Sequence, residues 1–479
     1  MGQQPSLGEP VIGPGRGTAR ETGSVRRTPR GRLSPAGGFG DGILLPECWQ
    51  AKERYSTMEF GHMSSRLDHF SALCVAIVFF LPSLRAINTV PVWSYWIAIA
   101  GLATASIYLL LSRGVRRWEV DVAAFVLLCA GLFAWLLFSV LWTRSTTQYE
   151  EDIGRIATLI ALVSSAAIVI TPQVARRALT LLVLGSLVLT GYVIRSYAAS
   201  GTLSGYDVEI AQYYLIISSA IATGAVGSAI QATITHGRPW PWLLSALVLL
   251  AGLSLSLGRG SLLFAIAVIV LFGGGSVLSD KGRRRRLNHL LRNAVYRGTL
   301  IVLLVGAVVG AIWSALRVER TATRLQRLIS GAEWEAGGRG HLWTTAWSNI
   351  QEAFFFGYGL GSSGIMSAGV EENYPHNLIL QVWLDGGLPA VGLLCGIIVL
   401  PYLAAIRANA RAGGWRHMYL PWLGIYTQLV LEYSKSTNLY SGRTLFLAGI
   451  ITVRLASAAE KCEARFPQGL GKAGKGWGG

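Results

Sequence analysis

The stretch NYPHNLILQVWLDGGLPAVGLLCGIIVLPYLA, residues 373–404, decides the fold. From Leu378 onward it is apolar for longer than the ~20 residues that carry a helix across a bilayer core. Asp385 is the only charged side chain between 378 and 404. The run is entered through His376 and Asn377, directly after Pro375. Asparagine is a strong helix N-cap, and a proline-containing turn commonly leads into a helix. His376 is therefore either part of a helix entry or a group with a chemical task.

The rest of the chain repeats the pattern. Of 479 residues, 52% are hydrophobic and 14% charged; a soluble domain carries about 25% charged residues. Twelve segments read as membrane spans, near 68–84, 92–112, 121–142, 154–171, 178–196, 208–230, 239–257, 260–278, 298–316, 378–404, 417–434 and 442–458. The composition predicts an all-α polytopic membrane protein of about 12 transmembrane helices with one long outer-face loop. The net charge of +17 would suggest nucleic acid in a soluble protein, but the basic residues cluster between apolar runs. That is positive-inside patterning, so no nucleic-acid partner is expected.

The charge pattern also predicts the domains. Residues 1–65 are Gly-, Pro-, Arg- and Ser-rich and are expected to be a disordered basic tail; Met58 or Met63 would serve as an alternative start. Spans one to nine occupy 66–316. An outer-face loop with short helices, periplasmic on the resemblance given below, follows at 317–377, then spans ten to twelve at 378–458 and a cytoplasmic tail at 459–479. Alternation puts SRGVRRWEV, TPQVARR, KGRRRRLNHLLRNAVYR and AIRANARAGGWRH on the cytoplasmic side, with both termini inside. Within the loop, Trp343, Trp347, Ile350 and Phe354 recur at helical spacing, and GYGLGSSG turns the chain. The five cysteines form no CxxC pair and predict neither a disulfide frame nor a zinc site.

This topology sorts the candidates for chemistry. His341 and His376 fall on the outer side. Histidine suits proton transfer because its unperturbed pKa of about 6.5 admits both forms near neutrality. Arg259, between Gly258 and Gly260 in an apolar segment, is costly unless paired or used, although a snorkelling arginine at a helix end is the plainer alternative. Arg339 repeats the Gly-Arg-Gly pattern in the loop, and Arg195 ends the fifth span. Guanidinium groups match phosphate oxygens bidentately, so three on one face suit a diphosphate. Asn377 is a helix cap by type and a candidate substrate contact by position. Glu150, Glu151 and Asp152 read as a solvated charge run. There is no GxxxxGK[ST], HExxH or GxSxG, so ATP-driven and zinc-dependent chemistry find no support.

PHNLILQVWLDGGLPAVGLL (375–394), preceded by GGRGHLWTTAWSNI (337–350) and FFFGYGLG (354–361), resembles the signature region of the O-antigen ligase and polymerase superfamily. FSVLWTRSTTQ (138–148) and LSLGRGSLL (255–263) resemble further segments of it. The resemblance covers most of the chain from about residue 70 and is strongest over 254–394. It implies a GT-C-like helical fold in the bacterial inner membrane, with the active site on the periplasmic face. It also implies transfer of an undecaprenyl-diphosphate-linked glycan to lipid A-core or to a second glycan chain, without cofactor, metal or nucleotide sugar. Arg259, Arg339 and His376 fall on the family's membrane-edge arginine, loop arginine and loop histidine. Where the family often has Glu-Gly, this chain has Asp385-Gly386, a carboxylate one methylene shorter. Ligase activity is the expectation, with O-antigen or exopolysaccharide polymerisation as the alternative. A polysaccharide transporter would need two related halves with mid-span charges, and the sequence shows few such charges and no such symmetry; a scaffold role in an export complex is a third reading.

Overall fold

The computed structural model describes residues 65–83, 93–113, 118–200, 208–235, 239–256, 258–276, 339–371, 374–411, 415–436 and 438–465. Among them all regular structure is helical. The helices are α1 (Ser65–Ser83), α2 (Trp93–Arg113), α3 (Val120–Phe138), α4 (Gln148–Val169), α5 (Pro172–Ser200), α6 (Val208–Ile234) and α7 (Trp240–Leu255). They continue with α8 (Arg259–Val268), α9 (Arg339–Glu352), α10 (Ser363–Ala368), α11 (Leu378–Arg411), α12 (Arg416–Ser436) and α13 (Arg443–Arg465). A 3-10 turn, Ser139–Trp142, prolongs α3, and another, Leu439–Ser441, links α12 to α13.

Among the described residues helices stand at eleven of the twelve expected spans. The ninth span, loop residues 317–338 and residues 1–64 and 466–479 lie outside the described residues, and α13 runs on through 459–465, the start of the predicted cytoplasmic tail. Among the described residues six helices are long and apolar enough to cross a membrane: α1, α3 with its 3-10 turn, α4, α5, α6 and α11. Helix starts differ from expectation for local reasons. α4 begins at Gln148 rather than 154, because Glu150 and Glu151 favour the positive end of the helix dipole. α5 begins at Pro172, a residue suited to a first turn, and Thr171 Oγ1 accepts from Val174 N at 3.2 Å.

α12 and α13 are less apolar than the six, and their position explains it. α13 is packed among α3, α4, α11 and α12, and most of its residues from Leu445 to Ala459 are buried. Phe446 of α13 meets Phe133 of α3 with ring centroids 5.4 Å apart. Tyr426 of α12 donates to Ile397 O at 3.1 Å. Lipid tails are as apolar as leucine, so dense packing and hydrogen bonds hold such a core more than transfer from water does. The outer surface is apolar instead: Leu111 and Val120 are each 83% exposed, with Leu127, Leu141 and Val188 close behind. A water-soluble monomer rarely exposes such patches, whereas lipid solvates them.

At one end of the bundle Glu119, just ahead of α3, receives Arg454 of α13 at 2.5 Å and Lys461 at 2.7 Å. Asp121 pairs with Arg407 at 2.6 Å. Burial opposes the Glu119 charge, but Arg454 and Lys461 outweigh it and hold the carboxyl below its ordinary value. Glu119→Gln leaves the half-buried Arg454 facing a neutral amide and is expected to cost about 1–3 kcal/mol. Thermal unfolding in detergent measures this. A depressed carboxylate contributes fully above its unfolded value of about 4.5, and the contribution fades as pH falls through the lower folded value. The gap between wild type and Glu119→Gln should therefore be full at pH 7 and narrow below about pH 4.5.

Candidate functional site

The site lies at the opposite end and starts from a break in α11. The backbone at Gly387 is non-helical, with φ 67° and ψ −163°, and Pro389 has no N–H. Leu388 N turns away to Phe354 O and Phe355 O, each at 3.1 Å. The carbonyls of Leu384 and Asp385 thereby lose their helical partners, and a buried carbonyl must find another. The glycine-rich loop supplies them: Tyr358 N donates to Leu384 O at 2.6 Å and Gly359 N to Asp385 O at 3.0 Å. The loop is pinned on its other side by the end of α3. Leu360 N donates to Ser139 Oγ at 3.0 Å, and Thr143 Oγ1 donates to Leu360 O at 2.6 Å. Gly359, at φ 93°, runs so close to the Thr143 backbone that no β-carbon fits.

Asp385 is fully buried at this junction. It accepts from Ser363 N and from Tyr440 Oη, both at 2.8 Å. Beside it opens a cavity of about 220 Å³, lined by Gln148, Glu151, Asp152 and Arg155 of α4, by Gly361, Ser363, Glu371 and Tyr374, by Gln381 of α11, and by Asn438 and Tyr440. Glu150, Glu151 and Asp152 thus fall in the first turn of a helix; Glu150 and Glu151 are solvated as expected, and only Asp152 is turned inward. Asp152 is 2% exposed and pairs with Arg155 at 2.8 Å, while Glu151 pairs with Arg155 at 2.5 Å. The three-and-four spacing to Arg155 was the readable signal for this arrangement.

His376 does not line this cavity but packs on a residue that does. Its ring lies 4.3 Å, centroid to centroid, from that of Tyr374, which lines the cavity. It is the only non-glycine among the described residues with positive φ, at 51°. Histidine tolerates this region better than most side chains, but such backbone persists only where its surroundings impose it. Two contacts do so. Trp343 Nε1 of α9 donates to Pro375 O at 2.8 Å. Asn377 Oδ1 accepts from Ile379 N at 3.0 Å and Leu380 N at 3.1 Å, capping α11.

The other predicted residues are placed as follows. Arg339 opens α9, the helix whose Trp343 fixes the histidine segment. Arg259 opens α8, which packs on α6 and α12. Arg195 is exposed in the last turns of α5. Hydrogen bonds gather His376, Asn377 and the helix of Arg339 into one segment, and among the described residues none ties Arg195 to it. On α9 the buried face is Ala346 and Ile350 with half-buried Trp343, while Trp347 is exposed and Phe354 lies beyond the helix.

Glu371, which sequence reasoning missed, joins this segment to α4. Its carboxylate accepts from Thr146 N and Oγ1 at 2.6 and 2.8 Å, from Thr147 N and Oγ1 at 3.1 and 2.5 Å, and from Gln148 N at 3.2 Å. The Thr147 and Thr146 donors hold its pKa down to about 2. An acid this low stays charged throughout the working range, so the attachment is lost only as pH falls below about 4 toward 2. Glu371→Gln puts an amide N–H against these donors. It is expected to reduce turnover about 10- to 100-fold through displacement of the His376 segment, with faster hydrogen exchange confined to residues 365–377. Unchanged exchange there would remove Glu371 as a positioning residue.

Residues 244–395, from α7 into α11, match the O-antigen ligase family. No curated protein matches the chain significantly.

Proposed function

We propose, from the premise that this multi-pass membrane protein carries an O-antigen ligase domain over residues 244–395, that it transfers a glycan from a polyprenyl diphosphate to an acceptor hydroxyl. The observation that carries the reading is His376: a histidine held in a costly backbone conformation, its ring against Tyr374 of a polar cavity, inside the matched region. In this scheme the acceptor oxygen attacks the anomeric carbon while the bond to the diphosphate breaks. The hydroxyl proton passes to His376, the electron pair leaves with the diphosphate, and in-line attack inverts the anomeric centre. Arg259 and Arg339 hold the diphosphate and balance its growing charge. Arg195 adds a contact to carrier or glycan. Asn377 uses its carbonyl as a cap, which leaves the amide nitrogen as the group it offers to substrate.

The reaction belongs at the periplasmic face of the inner membrane, where the less basic connections of the chain are expected. The acceptor in the preferred reading is lipid A-core. The test incubates purified protein with an undecaprenyl-diphosphate-linked repeat, with and without lipid A-core, and follows products by gel mobility. Glycan on lipid A-core supports ligation. Ladders without that acceptor replace ligation by polymerisation. Absence of both from a folded sample refutes the transferase reading.

A further inference from the structure

We infer that the cavity between α4 and α11 is a subsite for one neutral sugar ring of the glycan acceptor, and that the diphosphate binds elsewhere. The inference rests on the transferase reading for the identity of the sugar, and on the cavity itself for its chemistry. The volume is about 220 Å³, several times the ~30 Å³ of a water and below the ~300–1,000 Å³ of pockets that take drug-sized ligands. That space suits a single ring rather than an oligosaccharide.

The charge excludes phosphate. Three carboxylates, Glu151, Asp152 and Glu371, face the cavity against one guanidinium, Arg155. That guanidinium is already engaged by both Glu151 and Asp152. An anionic diphosphate would therefore meet net repulsion. A pyranose meets the opposite situation, because its hydroxyls both donate and accept. Carboxylate oxygens accept from them, and the side-chain amides of Gln148 and Asn438 do both. Tyr374 adds an aromatic face, the usual amphipathic surface for a ring with apolar and polar sides. The Tyr374 ring also packs on His376. A sugar seated against Tyr374 would bring its hydroxyls next to the proposed base, which is where the acceptor must be.

The test uses the purified full chain in detergent. Saturation-transfer NMR is recorded with methyl glucoside, methyl galactoside and methyl N-acetylglucosaminide, before and after addition of inorganic pyrophosphate. At least one pyranoside should receive saturation, pyrophosphate should leave that signal intact, and Gln148→Ala and Asn438→Ala should each remove it. In the transfer assay, Asn438→Ala should raise the acceptor KM about five- to tenfold with donor KM unchanged. No pyranoside signal, displacement by pyrophosphate, or binding that survives both substitutions overturns the inference; the first two need only wild-type protein. If wild type binds a pyranoside but transfers no glycan, the functional reading falls and the sugar subsite stands.

Discussion

His376→Asn is expected to lower kcat for glycan transfer about 10²- to 10⁴-fold, the range associated with a positioned general base, while the protein folds as before. Asparagine is the informative replacement because it accepts the left-handed backbone at φ 51° that this position adopts. Alanine would add a backbone penalty of about 1 kcal/mol and confuse strain with lost chemistry. The asparagine amide cannot take up a proton near neutral pH, so it preserves shape and removes basicity. Thermal stability in detergent should match wild type, and sugar binding should persist. Arg339→Ala leaves His376 in place and removes the proposed charge stabilisation, with an expected loss of about 10²- to 10³-fold in kcat/KM. Near-normal kcat in His376→Asn would return the histidine to the role of a helix-entry residue.

Gly387→Ala should be the most damaging single methyl group in the molecule. At φ 67° and ψ −163° the backbone is in a region essentially reserved for glycine, and a side chain there costs about 1–3 kcal/mol before any contact is counted. The added carbon would also strike the backbone of Phe355, with Phe356 C at 2.6 Å. Relief requires the Phe354–Phe356 turn to move away, which breaks the two bonds to Leu388 N. The glycine-rich loop is the next element attached to that turn, so the cavity would lose a wall. A sharp fall in folded yield and melting temperature is expected, measured by size-exclusion chromatography in detergent and thermal unfolding. A variant as stable as wild type would show that the break in α11 does not depend on this glycine.

The helices were legible because apolar length is written locally. His376, Asn377 and the turn at GYGLG were legible for the same reason: each is a short-range signal of cap, turn or titratable type. The residues that make the cavity were not. Asp152 looks like its solvated neighbours Glu150 and Glu151 until α4 is packed, when one face of that turn points inward. Glu371 finds its five donors more than 220 residues earlier in the chain, and Tyr440 reaches Asp385 from another helix pair. Such pairings depend on how the bundle closes, and no spacing within one segment announces them. Asp385 is the intermediate case. Its charge inside an apolar run was visible, but its two partners, Ser363 and Tyr440, were not.

The attachment of Glu371 to the start of α4 would make the bilayer a mechanical part of the proposed site. α4 is a candidate membrane span, and spans tilt when the thickness of the surrounding hydrocarbon changes. The first turn of α4 carries Gln148 and Asp152 into the cavity, while Glu371 ties that same turn to the chain leading to His376. The proposed sugar subsite and the proposed proton acceptor would therefore ride on one lever whose fulcrum lies in lipid. Membrane composition would then reach the acceptor hydroxyl and its base together, as a joint displacement that preserves their separation. Groups on helices outside this linkage, such as Arg259 on α8, would instead shift relative to both.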